Sequence, residues 1–184
     1  NGNDSIVTIG GCVTEIVFAL GKGDAVIAVD QSSILPKKVL ELPQIGYIRN
    51  ISSEGILSMR PNIILTTSDI GPPIVLNQLV DSGLRVKVFD SPKKFNDILD
   101  LIVDISNFLD IPSRGNIIKE NLEILDRKIN DLRIRLLEKP KIVFFMNPSA
   151  GSLTAAGIDT RADYLINYIG GENIFSNDFK RYNN

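Results

Sequence analysis

Short apolar runs alternate with helix-period stretches along the first part of the chain. Residues 5–9 (Ser-Ile-Val-Thr-Ile) predict a strand turned by Gly10-Gly11, and residues 14–20 predict a short helix closed by Gly21 or Gly23. A second strand is expected over 25–29. Residues 53–59 predict a short helix capped by Ser52 or Ser53 and stopped by Pro61. A third strand follows over 62–66. A helix over 72–82 is opened by proline and ended by Gly83, and a fourth strand is expected over 85–89. Residues 94–109 form a helix pattern, apolar at Phe95, Ile98, Leu99, Ile102, Ile105 and Leu109. The strands are apolar on consecutive residues, the pattern of a parallel sheet buried on both faces. Residues 1–110 therefore read as one α/β lobe.

Pro112 interrupts this alternation. A long helix signal then covers about 113–138, with a stripe at Ile118, Leu122, Leu125, Ile129, Leu132 and Leu136, in steps of 4, 3, 4, 3 and 4. At 1.5 Å per residue it spans roughly 35–40 Å, long for a crossover within one sheet. It fits a packing helix, half of a coiled coil, or a strut between two lobes. After Pro140 the α/β pattern restarts. A strand is expected over 141–146, a Gly/Ser/Ala-rich loop over 147–159 and a helix over 160–169 ended by Gly170-Gly171. The domain reading is a lobe over 1–110, a linking helix over 111–139 and the start of a second lobe over 140–184. One strand and one helix bury too little to make a core, so the second lobe is expected to be truncated.

Composition narrows the chemistry. The chain has 184 residues, 43% hydrophobic and 23% charged, with a net charge of −2 and both signs mixed. No basic stripe marks a nucleic-acid surface, and no apolar run reaches the roughly 18–20 residues of a membrane span. There is no histidine, which excludes Ser-His-Asp and Cys-His catalysis and histidine-ligated zinc. The single cysteine, Cys12, cannot form an internal disulfide. Ile9-Gly10-Gly11-Cys12 is only a faint echo of a lipoprotein cleavage site, because no charged and apolar leader precedes it. Cys12 reads as a small buried residue. The opening residues do not read as a signal peptide, so the chain is expected to be either cytoplasmic or already processed, and Asn1-Gly2-Asn3-Asp4 reads as the frayed start of a mature chain.

The most specific stretch is Leu42-Pro43-Gln44-Ile45-Gly46-Tyr47-Ile48-Arg49-Asn50, which puts a tyrosine and an arginine in a loop ahead of a helix and a buried strand. Taken alone, these residues fit an ordinary surface loop better than a binding loop. Together with Gly10-Gly11-Cys12-Val13-Thr14-Glu15-Ile16-Val17-Phe18-Ala19-Leu20-Gly21, Val29-Asp30-Gln31-Ser32-Ser33, Ser53-Glu54-Gly55-Ile56-Leu57-Ser58, Gly71-Pro72-Pro73, Ala155-Ala156-Gly157 and Ile169-Gly170-Gly171-Glu172-Asn173, the chain resembles the periplasmic haem-binding proteins of ABC importers. These belong to a helix-linked class of substrate-binding proteins that also holds cobalamin and siderophore binders. The resemblance covers nearly the whole chain. It implies two α/β lobes of parallel sheet joined by one long helix, ligand held between them, and a further run of the second lobe. It also implies a periplasmic protein, free or lipid-anchored, with no catalytic activity.

The resemblance makes Tyr47 the axial ligand of ferric haem. The chemistry agrees: Fe(III) is a hard acid, phenolate a hard anionic donor, and tyrosine ligation of haem iron is an established mode. A free phenol titrates near pH 10, so the iron displaces the proton and a nearby cation helps. Arg49 is expected to stabilise the phenolate or pair with a propionate, on the reasoning that residues i and i+2 of an extended segment share a side. Gly71, Pro72 and Pro73 are expected to wall the haem slot, at the strand end where open α/β sheets hold ligands. Cys12 is expected either on the same rim or in the core. Asn147 and the loop to Thr154 are expected to face the ligand from the second lobe. Some relatives supply a histidine there; this chain has none, so histidine ligation on the second side is not expected. Met146 is a weak candidate for a sixth ligand against the plainer reading of a core methionine. The resemblance implies that Glu54 docks on the permease; the plainer reading is an acid stabilising a helix N-terminus.

Two other readings compete. The same fold could carry cobalamin, a siderophore or another metal chelate. A nucleotide-using α/β enzyme could use Gly10-Gly11, though no GxGxxG or GxxxxGK[ST] motif is present.

Overall fold

The computed structural model describes residues 4–146 and 153–183. The chain divides into two compact units, Asn1–Lys119 and Glu120–Asn184.

The first unit is built on a four-stranded parallel sheet. In chain order its elements are β1 (Ile6–Ile9), α1 (Gly11–Ala19), β2 (Val26–Val29), a small hairpin of β3 (Gly46–Tyr47) and β4 (Asn50–Ile51), α2 (Ser53–Ser58), β5 (Ile63–Thr67), α3 (Pro73–Asp81), β6 (Arg85–Phe89) and α4 (Phe95–Phe108). The sheet order is β2-β1-β5-β6, all neighbours parallel. Every residue of β1 and β5 is buried, as their unbroken apolar runs predict. The fourth strand departs from that pattern. In β6, Arg85 and Lys87 are exposed while Phe89 is buried, because β6 is the sheet edge and keeps one face wet.

Period-2 geometry sorts the central strands between two helical layers. Val7, Ile9 and Ile64 join Ile56 of α2 and Val75 and Leu79 of α3 in one core. Thr8 points the other way and its hydroxyl meets that of Thr14 on α1 at 2.8 Å, which puts α1 on the opposite face. There α1 packs against α4, whose apolar stripe buries Leu99, Leu101, Ile102 and Ile105.

The long helix α5 (Pro112–Ile134) carries the chain from one unit into the other. It ends four residues before the expected 138. Pro140 disfavours helical backbone at Lys139, and the end tightens into i→i+3 bonds, Arg135 to Leu132 at 3.1 Å and Leu136 to Arg133 at 3.2 Å.

In the second unit the expected strand over 141–146 is two strands with different partners. β7 (Lys141–Ile142) pairs in parallel with β10 (Glu172–Asn173). β8 (Phe145–Met146) pairs antiparallel with β9 (Thr154–Ala156), which also pairs with β11 (Tyr182–Asn183). The apolar run continues through Val143-Phe144, but the backbone changes sheets there. β9 falls inside the stretch expected to be loop. Its three small residues carry no periodic signal, and the strand is made by its antiparallel neighbours. α6 (Arg161–Tyr168) follows, capped by Thr160, whose hydroxyl accepts from the Asp163 amide at 3.0 Å.

Candidate functional site

The loops that leave the carboxyl ends of β1, β2 and β5 converge on the β3–β4 hairpin. β2 lies on one side of β1 and β5 on the other, so the chain reverses its direction of travel across the sheet there, the position at which open α/β sheets bind ligands.

The hairpin is tied to two of these loops by backbone alone. The Gln31 amide donates to the Gly46 carbonyl at 2.8 Å, and segment 43–45 runs beside the end of β2 through Val29 to Pro43 and Ile45 to Val29, both 3.0 Å. On the other side the Gly71 amide donates to Ile48 O at 2.9 Å and the Ile51 amide donates to Gly71 O at 3.0 Å. Side chains then fix the hairpin inward. Ile48 is 8% exposed and Ile51 4%, and both belong to the core with Val7, Ile9 and Ile64. Burying an isoleucine contributes about 1.5–3 kcal/mol. Two such anchors hold in place a four-residue ladder that would be marginal alone.

Between these anchors stand the exposed residues. Tyr47 is 47% exposed, and Arg49 and Asn50 are also exposed. The i, i+2 argument for Tyr47 and Arg49 does not hold as framed. Tyr47 ends β3, while Ile48 and Arg49 form the two-residue turn before β4, so the pair does not lie on one extended run.

Gly71 lies directly against this turn, and Pro72 and Pro73 follow it in the chain. A Cβ on Gly71 would sit 3.0 Å from the Arg49 carbonyl oxygen, so any larger residue would have to push the two loops apart slightly. Pro72 and Pro73 are exposed at the start of α3. Cys12 is half-buried in the first turn of α1, just beyond β1, on the same edge of the sheet. Glu54 is exposed in the first turn of α2, whose cap is Ser52. Tyr47, Arg49, Gly71, Pro72, Pro73 and Cys12 thus share the carboxyl edge of the first unit. Asn147 lies outside the described residues. Met146 is 41% exposed at the end of β8 and is not the core methionine of the plainer reading.

One polar cluster at this edge carries no role in the sequence reading. Asp30, fully buried, follows β2. Its Oδ1 accepts from the Gly10 amide at 2.8 Å and the Ser33 hydroxyl at 2.7 Å; its Oδ2 accepts from the Ser32 amide at 3.0 Å and the Ser32 hydroxyl at 2.6 Å. The visible signal is local: Asp-x-Ser-Ser after a buried strand is the composition of an Asx turn. Gly10 adopts φ +105°, which only glycine takes without strain, and a Cβ there would sit 3.3 Å from Ile48 Cδ1. Because the Gly10 amide is bonded to a carboxylate, the Gly10-Gly11 turn does not offer that amide to a phosphate, which counts against the nucleotide reading.

A separate cleft of about 650 Å³ opens beyond β5 and β6, lined by Asp69, Asp90, Lys93, Asp97, Asp100 and Asp104 among others. The Lys93 and Lys94 amides donate to Asp97 and hold its carboxyl below the usual carboxylate range. None of the site residues named above lines it, and its acidic wall is unsuited to an anionic ligand.

Comparisons with known proteins place the chain in a family. The chain is similar to the periplasmic heme-binding protein RhuT from Roseiflexus sp. RS-1, at 31% identity and a TM-score of 0.93, over 99% of this chain and 70% of that one. It is similar to the periplasmic heme-binding protein HutB of Vibrio cholerae at 31% identity and a TM-score of 0.85, over 99% and 70%. Among curated proteins, the vitamin B12-binding protein of Vibrio parahaemolyticus is 27% identical over 183 residues, 97% of this chain and 64% of the relative's length. The chain thus spans a little under two thirds of that relative. The periplasmic binding protein family matches residues 6–184, nearly every residue of both units, and the chain belongs to that family.

Proposed function

We propose that this chain captures ferric haem through Tyr47 and serves an ABC permease, performing no reaction on its ligand. The observation that carries the reading is the hairpin: a tyrosine and an arginine held outward at the ligand-binding edge of the sheet by two buried isoleucines. The Tyr47 phenolate supplies a hard anionic ligand to Fe(III). Arg49 supplies a permanent positive charge for that phenolate or for a propionate. Exposed Ile34 and Leu35 in the loop after β2 and Ile74 in the first turn of α3, with Pro72 and Pro73, supply apolar surface suited to a flat macrocycle. Cys12 borders the same edge. Glu54, pointing to solvent from α2, is the contact proposed for the permease. No helix among the described residues is long and apolar enough to cross a membrane. The protein is proposed to work outside the inner membrane.

A second reading has a specific support, the vitamin B12-binding relative: the same edge would hold a corrinoid, and the family resemblance extends the choice to siderophores or other metal chelates. Haem is favoured because a phenol serves ferric iron and a guanidinium serves carboxylates. The test is a titration of ferric hemin, with cyanocobalamin as competitor, into the chain and into Tyr47→Phe. A saturable ferric-tyrosinate spectrum lost in Tyr47→Phe supports the proposal. Displacement of hemin by cyanocobalamin, or an unchanged spectrum in Tyr47→Phe, overturns it.

A further inference from the structure

The buried carboxylate of Asp30 is satisfied by four donors, none of them charged, drawn from two loops. It also sets the direction of a hydroxyl chain. Ser33 gives its proton to Asp30, so at their 2.7 Å contact Ser33 accepts from Thr14, whose hydroxyl also lies 3.3 Å from the Gly10 carbonyl as a second, longer acceptor. The 2.8 Å contact between Thr14 and Thr8 then takes its proton from Thr8. Three fully buried side chains on β1, on α1 and in the loop after β2 are thereby oriented by one carboxylate.

What this cluster supports is the floor of the hairpin. Gly10, held by Asp30, lies under Ile48, and Gln31, next to Asp30, holds the Gly46 carbonyl. We infer that Asp30 is the positioning residue of the ligand site: by clamping the Gly10 turn to the Ser32-Ser33 turn it fixes the platform on which the Tyr47–Arg49 turn is presented. This inference rests on the ligand reading proposed above.

Asparagine is the informative substitution because it keeps the shape, removes the charge and replaces one acceptor oxygen by a donor. Each carboxylate oxygen serves one backbone amide, Gly10 on one side and Ser32 on the other. In either orientation Asp30→Asn turns an NH₂ toward one of those amides and leaves it without its acceptor. Ile105→Ala, in the buried face of α4, supplies a destabilised control remote from the loops.

The experiment compares the full chain, Asp30→Asn and Ile105→Ala by hemin titration and by amide hydrogen exchange at Gln31, Ile51 and Gly71, whose hydrogen bonds dock the hairpin. The expected result is a Kd for hemin at least about tenfold weaker in Asp30→Asn, with exchange at those amides at least about tenfold faster than in Ile105→Ala. Wild-type affinity, together with exchange no faster than in the control, overturns the inference. If Asp30→Asn does not fold, Ser33→Ala, which removes one donor to the same carboxylate, carries the same comparison. If the unmodified chain takes up no hemin, the ligand reading fails, and the amide exchange still decides the role of Asp30.

Discussion

The amide of Gly71 donates to the carbonyl of Ile48 at 2.9 Å, and the Gly71 carbonyl takes the amide of Ile51 at 3.0 Å. One glycine thus holds both ends of the turn that presents Arg49. The space is narrow, because a Cβ at position 71 would stand 3.0 Å from the Arg49 carbonyl oxygen, backbone that cannot rotate away. Gly71→Ala is therefore expected to fold, to lose about 1–3 kcal/mol of stability from crowding, and to bind hemin more weakly because the turn is pushed outward. Urea denaturation and hemin titration measure the two effects. Unchanged affinity would show that the turn tolerates displacement.

Arg49 is exposed, so replacing it should barely touch stability, within about 0.5 kcal/mol. Its expected contribution is to the ligand. Arg49→Ala should weaken hemin binding by roughly tenfold, about 1.4 kcal/mol, and flatten the salt dependence of binding, since exposed charges are screened by added ions. Arg49→Lys should recover part of the loss, restoring the charge but not the planar fork. Equal affinities for all three at low and high salt would remove Arg49 from the site.

Ile48 is the buried partner of that exposed pair. Ile48→Val, which deletes one methylene, should cost about 0.5–1.5 kcal/mol, and Ile48→Ala about 2–5 kcal/mol. Because the side chain rests on Gly10 and joins the core of Val7, Ile9 and Ile64, both variants should also loosen Tyr47. The check is whether hemin affinity falls in step with stability from the unmodified chain through Ile48→Val to Ile48→Ala. A stability loss with constant affinity would separate the anchor from the site.

Much of the first unit is legible in its apolar runs. The strands expected over 5–9 and 62–66 are found within one residue of those bounds, at Ile6–Ile9 and Ile63–Thr67, and are buried through every residue. The hairpin is not legible, because each strand has two residues and is defined by backbone pairing that leaves no periodic trace. Tyr47 and Arg49 stand out by type, whereas Ile48 between them reads like any loop isoleucine until the core closes on it. Asp30 is hidden for a related reason: its donors come from residue 10 as well as from residues 32 and 33. In the second unit, periodicity marks 141–146 as strand but cannot show that the backbone changes partners within it. The stripe on α5 reads correctly as helix, yet Leu125 is 51% and Leu132 65% exposed, because period reports a face and not what covers it.

Tyr168 offers a test confined to the second unit. Its hydroxyl donates to the Asp126 carboxylate, and its ring stacks on Tyr164 with centroids 5.6 Å apart. Burial, reinforced by the hydrogen bond to that carboxylate, pushes the phenol from its ordinary value near 10 up to about 12. The folded chain therefore holds the Tyr168 proton more tightly than the unfolded chain does. The resulting stability is fully present below about pH 10 and is lost as pH rises through about 12. Of the four tyrosines, Tyr168 should ionise late in a 295 nm titration, and Tyr168→Phe should delete that late step. Tyr168→Phe should also make unfolding less pH-dependent between pH 10 and 12, with lower stability near neutrality. A late phase that survives in Tyr168→Phe would assign it to another tyrosine and would count against the Asp126 pairing in solution.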